Sequence, residues 1–396
     1  MTQKALSGVF VMGALLVSSV LPSAEYMKRE DISQLKIRGG QICQPLLPYQ
    51  AVRLRFVVQN VGDRRIVPMI QPSALFNIRG IRSPSDNDFR PARCPELPDD
   101  LRAPVGQRKL PPAALQLKPG QTISVTFCMA ADWRCRRPTP PDGRPLFPQP
   151  GIYQTLWRTN QRYELPVTVA APQGADKEIW RMMTEDTYLA DAMMSPAHAA
   201  DPDAVETMKE IVWRHPQSSY ADYARFALAR AHVKGGGYFL TTDDRDLAKG
   251  VEFTLSQFED SDEQLREALT DHFDVGHLRG TRARIVDDLV RARKVPPAAR
   301  QAAISAFVAL KRITAEDRAA AVRLLEDIKN RDFAYAPNAL VLLWKILRRD
   351  DPERAKNVAD RLTREYPDSC EWILEMTDLI REPDAWLKFR TTKPPQ

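Results

Sequence analysis

The block Tyr220-Ala221-x-x-Ala224 returns 115 positions later as Tyr335-Ala336-x-x-Ala339. The Pro216-Gln217-Ser218 that precedes the first copy returns 151 positions later as Pro367-Asp368-Ser369. These spacings differ by 36 residues, close to the length of one helical hairpin in a repeat array. A hairpin of that size cannot bury its apolar face alone, so each copy must stack on a neighbour. That requirement constrains the second half of the chain more than any other feature.

The local patterns agree with it. DAVETMKEIVWRHP carries Val205, Met208, Ile211 and Val212 on one helical face. Pro216 and Ser218-Ser219 then stop one helix and cap the next. SYADYARFALARAHV puts Tyr220, Ala224, Ala227 and Ala231 on one stripe, where small residues allow close helix approach. Copies return at AAAVRLLEDIKNRDFAYAPNALVLLWKIL and ERAKNVADRLTREYPDSCEWILEMTDLI. The middle copy lacks Pro-x-Ser, and the last has Glu371-Trp372 in place of Tyr-Ala. Residues 234–315 have helical patterns without a clear copy, and a Gly235-Gly236-Gly237 break. Trp213, Trp344 and Trp372 sit beside aliphatic residues and are expected in the core, as is the run Leu340–Trp344, which is apolar all round.

Residues 203–233 and 353–381 resemble the tetratricopeptide-like repeats of exported envelope proteins, among them periplasmic Tol–Pal accessory proteins and outer-membrane assembly lipoproteins. The shared pattern, Tyr-Pro-x-Ser-x-Tyr-Ala-x-x-Ala after a hydrophobic position, reads here as WRHPQSSYADYA and TREYPDSCEWIL. The resemblance implies binding of other proteins. Candidate contact residues are Tyr220, Tyr223 and Arg225 in the first copy, and Tyr335 and Asn338 in the second.

The first half has the short period of strands. AVRLRFVV alternates Val52, Leu54 and Phe56 with Arg53 and Arg55, which predicts one apolar face, and Asn60-Val61-Gly62-Asp63 ends it. A strand is expected at Arg65–Ile70. LQLKPGQTISVTFCM predicts a strand, a Pro119-Gly120 turn and a second strand. GIYQTLWRT and RYELPVTVAA form a last pair joined near Asn160-Gln161. LRFVVQNVGD, LKPGQTISVTF and PGIYQTLW are similar to stretches of the immunoglobulin-like domains of bacterial envelope proteins, over about residues 36–171. The expected fold is thus an all-β immunoglobulin-like sandwich with long Pro-rich loops (25–172), followed by all-α tetratricopeptide-like hairpins (173–396). Segments 83–112 and 134–150 read as long insertions.

MTQKALSGVFVMGALLVSSVLPSAEY has the order of a secretory signal peptide, residues 1–24, with cleavage after Ala24. The alternative is an uncleaved N-terminal anchor. The expected location is the periplasm, with secretion as a further alternative. In an oxidising compartment Cys43, Cys94, Cys128 and Cys135 point to two disulfides. Three connectivities are open, with Cys43–Cys128 and Cys94–Cys135 preferred. Cys370, at the start of a helical pattern, is expected to be a packed thiol.

Residues 25–175 hold 22 Lys and Arg against 12 Asp and Glu, whereas 176–396 hold 34 against 39. A basic β half beside an acidic helical half fits an interdomain contact. It also fits an anionic partner such as lipid or wall polymer, for which Arg134, Arg136 and Arg137 are the best local candidates. No nucleic-acid motif appears. No P-loop, G-x-G-x-x-G or G-x-S-x-G pattern appears either, and no cofactor is expected. The Asp271–His277 stretch is the one candidate metal site of an enzyme. His272 and His277 are five apart, which splays them by about 140° on a helix. The reading that follows is a non-enzymatic interaction or scaffold protein of the envelope. Its partner is expected to be another envelope protein.

Overall fold

The computed structural model describes residues 34–41, 46–64, 77–91, 117–129, 131–132, 144–158, 162–194, 202–233, 244–257, 281–292, 296–311 and 313–369. It also describes Trp372, position 294 and a few positions between 261 and 269. The expected signal peptide, the strand at 65–70, the cysteines Cys43, Cys94, Cys135 and Cys370, the arginines Arg134, Arg136 and Arg137, and the 271–277 cluster lie outside the described residues.

The first half is built from antiparallel strands. They are β1 (Leu35–Gln41), β2 (Val52–Asn60), β3 (Asn77–Arg82), β4 (Arg90–Pro91), β5 (Thr122–Met129), β6 (Ala131–Asp132), β7 (Arg144–Pro145), β8 (Gly151–Arg158) and β9 (Arg162–Val169). One sheet runs β1-β2-β5, a second β4-β3-β8-β9, and β6 pairs with β7. Alternation decides the faces. Leu54, Phe56 and Val58 of β2 lie opposite Phe127, Val125 and Ile123 of β5, and Leu54, Phe56, Val58, Val125 and Ile123 are all buried. On β8, Tyr153, Thr155 and Trp157 are buried while Ile152 faces out. Phe56 of the first sheet meets Trp157 of the second edge-on, with ring centroids 5.4 Å apart. The Trp157 indole N–H donates to Thr155 Oγ1 at 2.8 Å, and Thr155 in turn donates to the Leu165 carbonyl at 2.9 Å.

Two turns repeat one device. Leu47-Pro48-Tyr49-Gln50 and Lys118-Pro119-Gly120-Gln121 each close by a bond from the last N–H to the first carbonyl, 3.1 and 3.0 Å. In each, the Gln side-chain oxygen accepts the first residue's N–H, at 3.0 and 2.8 Å. Both place the third residue in the left-handed region, Tyr49 at φ 65° and Gly120 at φ 78°. Proline at the second position and positive φ at the third are the marks of a type II turn. Glycine adopts that conformation freely, whereas tyrosine is held there at a cost of roughly 1–2 kcal/mol.

Helices begin after Val169, at Gly174. They are α1 (Gly174–Glu185), α2 (Thr187–Met194), α3 (Pro202–Arg214), α4 (Ser219–His232), α5 (Asp244–Gln257), α6 (Thr281–Ala292), α7 (Pro297–Lys311), α8 (Ala315–Ile328), α9 (Ala336–Asp350) and α10 (Pro352–Glu365). Among the described residues no helix is long and apolar enough to cross a membrane. Packing runs α1, α2, α3, α4, α8, α9, α10, each against the next. Helix α4 therefore meets α8 directly, across the intervening segment. Helices α5, α6 and α7 pack among themselves around a separate core that includes Leu255, Leu289, Ile304 and Phe307.

The Pro-x-Ser signature makes the same turn twice. The Ser218 N–H donates to the His215 carbonyl at 2.9 Å, and the Ser369 N–H to the Tyr366 carbonyl at 3.1 Å. Ser218 Oγ then caps α4 by accepting the Tyr220 N–H. Thr314 and Asp317 form a reciprocal capping box that starts α8. The Leu340–Trp344 run is buried as its composition requires, and so is Trp372, which meets Trp344 edge-on at 5.4 Å. Trp213 corrects the expectation of core packing. It lies at the solvent side of α3 and is 78% exposed, because Met208 and Ile211 occupy the inward stripe.

Two consequences are testable. Phe56→Ala removes one ring of the Phe56–Trp157 contact between the sheets and is expected to cost about 3–5 kcal/mol in urea denaturation. The second concerns Glu326 of α8, which is tied to Lys329 and, at 2.9 Å, to Arg354 of α10. Burial alone would raise its pKa, but the bonds and charges of Lys329 and Arg354 prevail and hold the carboxyl below its ordinary range. A depressed folded-state pKa adds stability above the unfolded value, and that stability is lost as pH falls through the folded one. Glu326→Gln is expected to lower stability at pH 7 by about 0.5–1 kcal/mol. The two denaturation curves should converge as the pH drops below the ordinary carboxylate range.

Candidate functional site

Where β2 and β5 turn their polar faces outward, the sequence leads one to expect solvent. Three hairpin turns of the helical array stand there instead. The first, at 217–219, meets the β1–β2 turn: Gln50 Nε2 donates to Ser219 Oγ at 3.0 Å, and the Tyr220 hydroxyl donates to the Pro48 carbonyl at 2.6 Å. The second, between α8 and α9, meets the start of β2 and the end of β5. Arg53 Nη2 lies 3.0 Å from Asp332 Oδ1, and Cys128 Sγ donates to the Ala334 carbonyl at 2.8 Å. The third, at 366–369, meets the middle of β2 and the edge of β5. Asp368 Oδ2 accepts from Ser124 Oγ at 2.9 Å and from Arg55 Nε at 3.0 Å, and its carbonyl accepts the Thr126 N–H at 2.6 Å. Thr126 and Ser369 pair as a parallel bridge, so the third turn covers an otherwise open strand edge.

The electrostatics follow from burial. The Tyr220 hydroxyl is pushed far up, first by burial and then by the charge of Asp176, so it is a neutral donor at any physiological pH. Asp176 Oδ1 accepts from Ser218 Oγ at 2.5 Å and from the Ser219 N–H at 3.2 Å. Arg53 is 7% exposed, lies over the Tyr366 ring at 5.5 Å and reaches out to an Asp332 side chain that is 81% exposed. Burial raises the Tyr366 pKa, with the Arg53 charge opposing it. Burial also raises that of Asp222, against the pull of Arg331 and Arg225.

This seam relocates the residues expected to touch a partner. Tyr220, Tyr223, Arg225 and Tyr335 are buried within the chain, and Asn338 is half-buried. Tyr335 donates its hydroxyl to the Met194 carbonyl at 2.5 Å, and its ring meets Tyr223 at 5.6 Å. Arg225 is held by Asp222 and by the Pro216 carbonyl, both at 3.1 Å. The Tyr-Ala copies therefore pack against each other and against the sheet instead of presenting an outer surface. The repeat pattern marks which side chains turn inward, and these are the inward ones. Of the expected Cys43–Cys128 pair only Cys128 is described, and its Sγ is directed at the α8–α9 turn.

The exposed features lie elsewhere. Trp213 stands on α3 beside the Arg214–Glu210 ion pair (2.8 Å). Sequence reasoning missed it because Val212 and Ile211 beside it read as core. Lys36 and Arg38 face out from β1, and the register puts Arg38 opposite Val57 and Gly40 opposite Arg55. Alternation therefore places Lys36, Arg38 and Arg55 on one outward row.

The seam makes a direct prediction. Tyr220→Phe leaves the Pro48 carbonyl buried without its donor and is expected to cost about 1–3 kcal/mol. Asp332→Asn, at an exposed side chain, is expected to cost under about 1 kcal/mol. Equilibrium urea denaturation of both variants distinguishes a buried seam from a solvated one. No protein-family model and no curated protein matches this chain.

Proposed function

We propose that this chain is an exported, non-enzymatic interaction protein of the bacterial cell envelope. In this reading an immunoglobulin-like sandwich acts as the platform on which a tetratricopeptide-like array is held rigid. The observation that carries it is the nearest-neighbour stacking of α3, α4, α8, α9 and α10. Such stacking gives an extended surface of the kind that accepts a partner's segment or helix. Support for the sandwich comes from the Phe56–Trp157 contact between the two sheets. Support for export comes from the order of charges, apolar residues and small residues in 1–24.

The partner in this reading is another envelope protein, engaged on the outer face of α3 with Trp213 as its aromatic anchor. A photo-crosslinking residue at Lys209, one turn from Trp213, is expected to capture one dominant protein in cells. Trp213→Ala is expected to reduce that capture at least tenfold while changing stability by no more than about 0.5 kcal/mol. Capture that Trp213→Ala leaves unchanged counts against this face, and capture of nothing above background counts against the adaptor reading.

The outward pair Lys36 and Arg38 favours a second reading, in which the β half rests on an anionic lipid or wall polymer. Salt-sensitive sedimentation with anionic vesicles or sacculi, lost in Lys36→Glu/Arg38→Glu, is the expected sign. No sedimentation at low salt removes it.

A further inference from the structure

The array closes on itself as though residues 234–313 were not there. Helix α4 ends at His232 and α8 begins at Ala315, yet α4 packs on α8 as a direct neighbour. The two ends meet closely: His232 Nδ1 lies 3.3 Å from Asp317 Oδ1. The Thr314–Asp317 capping box fixes the point where the chain re-enters the array. Helices α5, α6 and α7 meanwhile bury Val251, Leu255, Leu289, Val290, Ile304 and Phe307 against one another, in a core distinct from that of the array. Their ion pairs Lys294–Asp262, at 3.2 Å, and Arg266–Asp287 also stay within the segment. Ile313, at the exit, packs against both cores.

We propose that helices α5, α6 and α7 form a lobe that unfolds and refolds as a cooperative unit of its own, apart from the array that runs to Val233 and resumes at Thr314. Two conditions for such a unit are met. Among the described residues its apolar contacts are mostly internal, so opening it exposes its own core and spares the array. The array ends that flank it are adjacent, His232 facing Asp317 and Thr314 capping α8, so its opening does not pull α4 from α8. The array can then hold its rigid seam with the sheet while the lobe unfolds and refolds.

Hydrogen exchange read by mass spectrometry on the full chain, in low concentrations of urea, tests this. Segments 244–257, 281–292 and 297–311 are expected to share one opening transition, separate from that of 219–233 and 315–328. Phe307→Ala is expected to speed exchange in the first group by roughly a hundredfold or more and leave the second within about twofold. Leu325→Ala, in the array core, should do the reverse. If Phe307→Ala does not fold, Ile304→Val carries the test with an expected acceleration of roughly three- to tenfold confined to the first group. Equal acceleration of both groups by either lobe variant, or a single transition for all five segments, overturns the proposal.

Discussion

The sheet's open edge and polar face are what the rest of the molecule is arranged around. Strand β5 ends the three-stranded sheet, so its outward N–H and C=O groups need partners or water. The chain supplies partners from three helix–helix turns that arrive in order along β2 and β5. Each turn brings its own chemistry: a Tyr hydroxyl to a carbonyl, a carboxylate to a buried guanidinium, and a backbone carbonyl to an edge N–H. Because hairpin repeats put alternate turns on one end of the stack, one sheet can meet several of them at once. The charge difference between the halves is used partly here, in Arg53–Asp332 and Arg55–Asp368.

The strained residue sits at the first of these contacts. Tyr49 occupies the position that Gly120 fills in the sister turn, and a glycine there would relieve the backbone. The tyrosine is retained because its ring packs against the helical core while the Pro48 carbonyl beside it receives the Tyr220 hydroxyl. The turn thus bonds to the array through its backbone and packs on it through its side chain. Ala51 and Leu47 join the same helical core. Sheet and array share a hydrophobic core at this corner, and the three residues between Ala170 and Gly174 connect two parts of one packed unit.

Much of the architecture was legible in local patterns, and the reasons are physical. Alternation on β2 and β8 and the 3.6-residue stripe on α3 report which side chains turn inward. The Pro-x-Ser turn reports where a helix is capped. None of these signals reports what an inward side chain meets. Arg53 alternates like a solvent-facing residue, and it is the α8–α9 turn and the Tyr366 ring that cover it. Tyr220 and Tyr335 look like a binding surface because tyrosines are amphipathic, yet their hydroxyls are spent on Pro48 and Met194. Trp213 errs the other way, since its aliphatic neighbours suggested core while the turn of the helix leaves it outside. Nothing in the Cys128 stretch announces the turn from the far half of the chain that its Sγ meets.

The long middle segment was the least legible part, for a related reason. A repeat is visible only where each copy meets a copy, because the shared contacts impose the shared residues. Helices α5 to α7 meet one another instead, so nothing forces Tyr-Ala-x-x-Ala or Pro-x-Ser upon them. The 115 residues between the two Tyr-Ala blocks hold α5, α6 and α7 besides α8. Tyr223 and Tyr335 stand in ring contact because α4 and the α8–α9 hairpin are neighbours in the stack. The degeneracy of the array in sequence and its continuity in space follow from that single placement.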